Sequence, residues 1–393
     1  EAHSNLGTIL KGLGKLQEAE LSYRKAIELK PDFAEANYNL GNILKDLENL
    51  IEARNYFKKS IKFGNLSGAK AELIKCNAIL SDWSDQKNQN IYLEKLGIEG
   101  KAVDPLPLSF VEDSALKQLQ RSKNLYQEKY ARPSTKIKSS KKNKIHIGYF
   151  SADFRIHPVM QLIAPLFELH DKSRFKIYLY AFVPKEDKNT QRAKDSGCFF
   201  RDIKYLSDIE AVQLARNDKL DIAVDLMGHT ANNRMSIFSY RVAPVQINYL
   251  GYPGSIGSET IDYILADNIV IPNNHEKFYT EKILRMPNCY LCNDDKIKID
   301  KEPISRKDFN LPEKGFVFTC FNHNKKITPK EFDIWMRLLI KIKGSVIWLR
   351  QPNKWAVKNL YREAEKRNVD PNRLIFASKV SFSKHLARHS LGD

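Results

Sequence analysis

Asp225, His229 and Thr230 stand close together where an apolar run, Ile222 to Leu226, breaks into Gly228-His229-Thr230. A second run, Val245 to Leu250, breaks into Gly251-Tyr252-Pro253-Gly254. Each reads as a buried strand ending in a glycine turn. In an open α/β sheet, ligands bind beyond such strand ends, where glycine lets the backbone come close and short polar side chains meet the ligand. Asp225 in that place can orient a neighbour, help with a proton or simply cap the turn. Ser151-Ala152-Asp153-Phe154-Arg155-Ile156-His157-Pro158 follows another apolar run, and His157 can exchange a proton near neutral pH. Phe321-Asn322-His323-Asn324-Lys325-Lys326-Ile327 follows a fourth run and precedes a helical pattern, so N–H groups and a lysine can meet a phosphate there. On pattern alone, these stretches also suit ordinary turns, a structural histidine and a solvated lysine.

More than pattern is present. GHTANNR, followed by RVAPVQINYLGYPGSIGSETIDYILAD, resembles the catalytic core of the O-GlcNAc transferase/SPINDLY family of glycosyltransferases. SADFRIHP resembles that family's S-x-DF-x-x-HP motif, and FNHNKKI its FN-x-x-x-KI motif. The resemblance implies that His157 lies at the sugar and acceptor site; Asp225, close to Thr230 in sequence, is a second catalytic candidate on position alone. Asp153, Thr230, Leu250, Gly251 and Pro253 would hold sugar and acceptor. Lys326 would meet the donor diphosphate, Val380 would offer backbone to the base, and His385 and Arg388 would face the nucleotide. His323 falls where relatives carry an amide side chain. Phe382 replaces a lysine of animal relatives, so that contact is absent.

The implied activity is metal-independent, inverting transfer of a sugar from a nucleotide donor to Ser/Thr hydroxyls of proteins. The donor is UDP-GlcNAc, or GDP-fucose as the SPINDLY-type alternative; no cofactor is implied. A tetratricopeptide scaffold with inactive transferase lobes is the reading from a different class. No acidic pair with metal-binding spacing appears, and a basic diphosphate site is the alternative to Mg²⁺.

These residues need elements to position them. From Ile145, the runs IHIGYF, KIYLYAF, DIAVDL, VQINYL, DYILAD and KILRMP alternate with polar or helical stretches such as Val159–Leu169 and Ile209–Asn217. Such alternation predicts a parallel sheet covered on both faces. FVFTCF, SVIWLR and RLIFAS, with helices near Glu331–Ile342 and Val357–Arg367, predict a second α/β unit. Ahead of both, residues 1–68 repeat with a 34-residue tetratricopeptide period, matching Leu6/Leu40, Gly7/Gly41, Leu10/Leu44, Ala19/Ala53 and Tyr23/Phe57.

The expected fold is therefore an α-helical tetratricopeptide solenoid followed by a GT-B-like pair of Rossmann-like lobes, the second incomplete. The expected segments are repeats at 1–68, a helical connector at 69–131, a basic linker at 132–144, a catalytic lobe at 145–300 and the start of a nucleotide-sugar lobe at 301–393. Glu1 in place of Met, the two repeats and the break at Asp393 predict a piece of a longer chain, catalytically silent by itself. The repeats are expected to recruit acceptor proteins.

Composition sets outer bounds. Hydrophobic content of 42% and charged content of 28% belong to a globular protein. No apolar run approaches the roughly 18 residues of a membrane span. The net charge of +17 points to an acidic partner such as a phosphorylated donor. Part of it sits in RPSTKIKSSKKNK, residues 132–144, which reads as a solvated linker because no aromatics are interleaved to stack on bases. Five scattered cysteines argue against a disulfide framework and fit a reducing cytoplasm. Cys289-x-x-Cys292 lacks the further ligands that a zinc site usually shows.

Overall fold

The computed structural model describes residues 1–132, 137–139 and 142–393, so the expected basic linker lies partly outside the described residues. The chain forms two compact units that do not follow sequence order. One comprises Glu1–Leu96, Phe110–Asp113 and Ile297–Asp393; the other comprises Gly97–Ser109 and Ser114–Lys296.

In the first unit, α1 (Ala2–Gly12) pairs with α2 (Leu16–Leu29), and α3 (Ala34–Asp46) with α4 (Leu50–Gly64). The glycine of each repeat explains the close pairing. A Cβ on Gly7 would lie 2.8 Å from the Tyr23 ring, and one on Gly41 would lie 2.6 Å from the Phe57 ring. Asn65 ends α4 in the left-handed conformation at φ 52°, which asparagine tolerates better than most residues. The solenoid continues through α5 (Ser67–Leu80), whose last carbonyls need partners. Three amides supply them: Asn324 Nδ2 donates to Ile79 O at 2.8 Å, Asn353 Nδ2 to the same oxygen at 3.0 Å, and Asn359 Nδ2 to Leu80 O at 2.9 Å. Trp83, just past the helix, meets Phe332 edge-on at 5.2 Å. Polar caps and apolar contact thus join the solenoid to the segment that begins near residue 301.

The second unit opens with α6 (Pro105–Leu108) and α7 (Ala115–Lys129) and builds a seven-stranded, all-parallel sheet. Its strands are β1 (Ile145–Ser151), β2 (Phe175–Ala181), β3 (Phe199–Asp202), β4 (Ile222–Asp225), β5 (Val245–Asn248), β6 (Tyr263–Ala266) and β7 (Lys282–Arg285). Their order, β3-β2-β1-β4-β5-β6-β7, reverses direction between β1 and β4, the place where open α/β sheets bind ligands. Covering helices are α8 (Pro158–Leu169), α9 (Lys188–Asp195), α10 (Asp208–Asn217) and α11 (Met235–Ser239). The predicted alternation fails after β5. Loops and a short 3₁₀ turn at Asn273–Phe278 replace the helices there, because Gly251, Pro253, Gly254, Gly257 and Pro272 interrupt helical pattern.

Three further strands of the first unit, β8 (Val317–Cys320), β9 (Val346–Arg350) and β10 (Leu374–Ala377), form a parallel sheet in the order β10-β9-β8. They are joined by α12 (Pro329–Lys341) and α13 (Lys354–Glu365) and followed by α14 (Phe382–Ala387).

Gly41→Ala should destabilise the solenoid by about 1–3 kcal/mol, the usual cost of overpacking. Gly12→Ala is the control, since a Cβ there meets nothing within 4 Å; it should be neutral or gain up to about 1 kcal/mol. Urea unfolding of the two variants checks the pair, and equal behaviour contradicts the packing argument.

Candidate functional site

The loop after β1 carries Asp153 and His157. Ser151 Oγ accepts the Asp153 N–H at 2.9 Å and donates to Met227 Sδ at 3.3 Å, which ties this loop to the one after β4. Pro158 opens α8, and His157 caps that helix: its Nδ1 lies 3.3 Å from Val159 N and 3.3 Å from an Asp153 carboxylate oxygen. One nitrogen cannot accept an N–H and give a proton to Asp153 at once. With the proton on Nε2, His157 caps the helix; with it on Nδ1, Asp153 holds the ring and Nε2 is free to take a proton. Burial lowers the imidazole's pKa, Asp153 opposes that shift and Arg155 adds to it. The neutral form, able to act as a base, is thereby favoured at neutral pH. Asp187, the N-cap of α9, accepts Ile156 N–H at 2.6 Å and pins the loop from the far side.

After β4, Asp225 is 3% exposed, and its two oxygens accept Met227 N–H at 3.0 Å and Gly228 N–H at 2.9 Å. Both oxygens hold the turn, so the residue sets the loop's shape. Burial nonetheless pushes its carboxyl up to about 6. His229 packs between the rings of Tyr130 and Tyr252 and donates through Nε2 to Ile256 O at 2.9 Å. Burial drags its pKa down to about 4 and leaves it neutral. His229 Nδ1 and Thr230 Oγ1 are shielded from solvent and have no partner among the described residues. Buried polar atoms are normally satisfied, so these two are exceptions.

After β5, Leu250 adopts φ 71°, and a Cβ on Gly251 would lie 2.1 Å from Leu226 O. Only glycine fits where these two strand ends close on each other. Asn248 spans the turn by donating to Tyr252 O at 3.1 Å and Gly254 O at 3.2 Å. The exposed Pro253 accepts from Tyr279 Oη at 3.0 Å. Asp153, His157, Thr230, Leu250, Gly251 and Pro253 therefore all lie on strand-end loops of one sheet.

The donor-side candidates divide. Val380, His385 and Arg388 line a cleft of about 540 Å³ with Phe321, Arg350 and Phe382. Arg388 is 4% exposed, stacks 4.6 Å from the Phe321 ring centroid and donates to Ser378 O at 2.8 Å. Its Nε has no partner, and no carboxylate pairs with it among the described residues. Burial holds its pKa below the usual arginine value. His385 Nδ1 is likewise shielded and unpartnered. His323 lines a neighbouring cavity of about 330 Å³, and Arg350 borders both. Lys326 lines neither: it is exposed, with its ammonium 5.6 Å from the Phe110 ring centroid. The lowered pKa values of His323 and Lys325, due first to burial and then to nearby cations including Arg350 and Lys326, report a positive field at the ends of β8 and β9. Among the described residues, no group of three or more His, Cys, Asp or Glu is placed to hold a metal.

Sequence reasoning missed Asp187, Asn248, Glu281 and Arg350. Asp187 had a local sign, the D-x-x-T capping pattern at 187–190. The others gain meaning only from partners brought together by folding.

Asp225 and His229 make a testable pair. A carboxyl whose folded pKa is about 6 against a usual 3.8 loses stability as pH rises from about 4 to 6. An imidazole held at about 4 against a usual 6.5 gains stability as pH rises through about 4 to 6.5. The two nearly cancel. Relative to wild type, His229→Gln should lose on the order of 3 kcal/mol between pH 4 and 6.5, and Asp225→Asn should gain a similar amount. Urea unfolding at the two pH values measures both, and parallel curves refute the assignment.

Comparison with known proteins agrees with this architecture. The model of glycosyl transferase family 41 matches residues 114–301 and 295–393, and tetratricopeptide-repeat models match 7–47 and 34–63. The chain is 31% identical over 256 residues to the probable UDP-N-acetylglucosamine–peptide N-acetylglucosaminyltransferase SEC of Arabidopsis thaliana, covering 64% of this chain and 26% of that protein. It is 36% identical over 206 residues to the probable enzyme of the same description, SPINDLY, of Solanum lycopersicum, covering 51% and 22%. The chain thus spans about a quarter of the length of the curated relatives it matches. Its fold is shared with an O-GlcNAc transferase of Thermobaculum terrenum, at a TM-score of 0.77 and 23% identity over 100% of this chain and 76% of that one. Tetratricopeptide repeats, two parallel α/β sheets and a family model matched across both sheets give one conclusion: the chain belongs to glycosyl transferase family 41.

Proposed function

We propose that this protein transfers N-acetylglucosamine from UDP-GlcNAc to serine or threonine hydroxyls of acceptor proteins. The observation that carries this reading is Arg388, a buried cation without a carboxylate partner in an aromatic cleft that also holds Arg350. A charge left so is costly unless an anion meets it, and a nucleoside diphosphate supplies both the charge and a ring for Phe321 and His385. The relatives' names supply the sugar and the acceptor class.

In this reading the acceptor oxygen attacks the anomeric carbon as the bond to the diphosphate breaks, and UDP leaves with the electron pair. His157 Nε2 takes the hydroxyl proton while Asp153 holds Nδ1–H. Thr230 and the backbone of Leu250, Gly251 and Pro253 hold sugar and acceptor. Arg388, Arg350 and Lys326 supply positive charge to the leaving group without calling on a metal, with Val380, His385 and His323 around the nucleotide. The repeats recruit the acceptor protein. Among the described residues no helix is long and apolar enough to cross a membrane, and the five cysteines are free, which supports a cytoplasmic location.

In the full-length protein, His157→Ala should lower kcat by about 10²–10⁴-fold, the usual worth of a general base, with UDP affinity unchanged. A mutant with wild-type kcat at saturating donor ends that role. Lys326→Ala should weaken UDP binding and slow transfer, together by about 2–4 kcal/mol, because charge on the diphosphate grows as the bond breaks. Calorimetry with UDP tests it, and equal affinity of mutant and wild type counts against the lysine.

A further inference from the structure

Glu281, 5% exposed, stands immediately before β7, where a buried carboxylate is expensive. It is surrounded by donors. One oxygen accepts Ile256 N–H at 2.6 Å; the other accepts Ser255 Oγ–H at 2.7 Å and lies 3.2 Å from Thr280 Oγ1. Burial raises its pKa, and the bonds from Ser255, Ile256 and Thr280 resist that shift.

Valence counting shows why an acceptor is needed there. Ser255 Oγ already accepts Gly257 N–H at 3.1 Å and Thr280 N–H at 3.2 Å. Both lone pairs are occupied, so its hydrogen must be given away. Besides Glu281, only Thr280 Oγ1, at 3.1 Å, is in reach among the described residues. An amide at position 281 keeps one acceptor and turns N–H groups either toward the saturated Ser255 oxygen or toward Ile256 N–H. A carboxylate fits; an amide of the same shape does not.

Ile256 extends the chain of bonds. Its N–H is held by Glu281, and its carbonyl accepts His229 Nε2–H at 2.9 Å. His229 directly precedes Thr230, whose hydroxyl has no partner among the described residues. On its other side, the loop lies against α7, where a Cβ on Gly257 would come 2.4 Å from Lys123 N. We propose that Glu281 is a positioning residue for the acceptor side: it clamps the 251–257 loop and, through Ile256 and His229, fixes the place of Thr230. The proposal rests on the transferase reading above.

Glu281→Gln and Glu281→Ala in the full-length protein test it in two arms. Hydrogen exchange of the Ile256 amide should quicken at least about tenfold in both variants. The acceptor-peptide kcat/KM should fall about 10- to 100-fold, as for a small misplacement of reacting groups. Affinity for UDP, whose candidate residues lie in the other unit, should stay at the wild-type value; a general loss of structure lowers it as well. Unchanged exchange overturns the clamp. Faster exchange with unchanged acceptor kinetics, or an equal loss of UDP affinity, overturns its part in the reaction. A wild-type protein that transfers no sugar overturns the transferase reading instead, and the exchange arm still decides the clamp.

Discussion

Buried polar side chains at the ends of the strands govern the loops of the seven-stranded sheet. At the end of a parallel strand the backbone runs out of partners, yet it is still surrounded by protein, and an unsatisfied buried N–H or C=O costs about as much as a lost hydrogen bond. Asp225 answers for the turn after β4, Asn248 for the turn after β5, and Glu281 for the loop that follows. Each is short, nearly fully buried and bonded to main chain. The loops are held from inside, and within them Thr230 Oγ1 and His229 Nδ1 are buried without a partner among the described residues.

The three-stranded sheet uses the opposite economy. Its strand ends gather Arg350, Lys325, Lys326 and Arg388 with His323 and His385. Cations this close repel, which weakens the folded state and strengthens attraction for a multiply charged anion. Aromatic faces compensate in part: Phe321 lies under the Arg388 guanidinium, and Phe110 lies near both lysines. The strand-end loops of the seven-stranded sheet are held by hydrogen bonds to buried side chains, whereas those of the three-stranded sheet gather cations.

Much of this was legible in the sequence. Strands covered on both faces read as continuous apolar runs, so the interior strands β1, β2, β4 and β5 were visible directly. β3 was not, because Phe199–Asp202 is a four-residue edge strand with no fully buried position. α9 escaped because KNTQRAKD buries only Thr190 and Ala193. Among site residues, those beside a glycine turn after an apolar run could be found. Glu281 and Asp187 could not: they act across 25 and 31 residues of separation, and no local spacing encodes that. The sharing of one unit by the solenoid and the second sheet was hidden for the same reason, since Asn324 reaches Ile79 across 245 residues. Asn324 belongs to a stretch that reads as phosphate-binding, yet its side chain grips a helix.

That grip limits how the protein can vary. The amides of Asn324, Asn353 and Asn359 recognise the final carbonyls of one helix, and those carbonyls point where the helix phase puts them. A single residue inserted into α5 turns its end by about 100° and carries the carbonyls away from the amides. A whole repeat added before α3 leaves that phase untouched. An insertion of one complete period therefore leaves the joint intact, whereas the last helix before residue 81 is bound to the segment of the three-stranded sheet as a matched part.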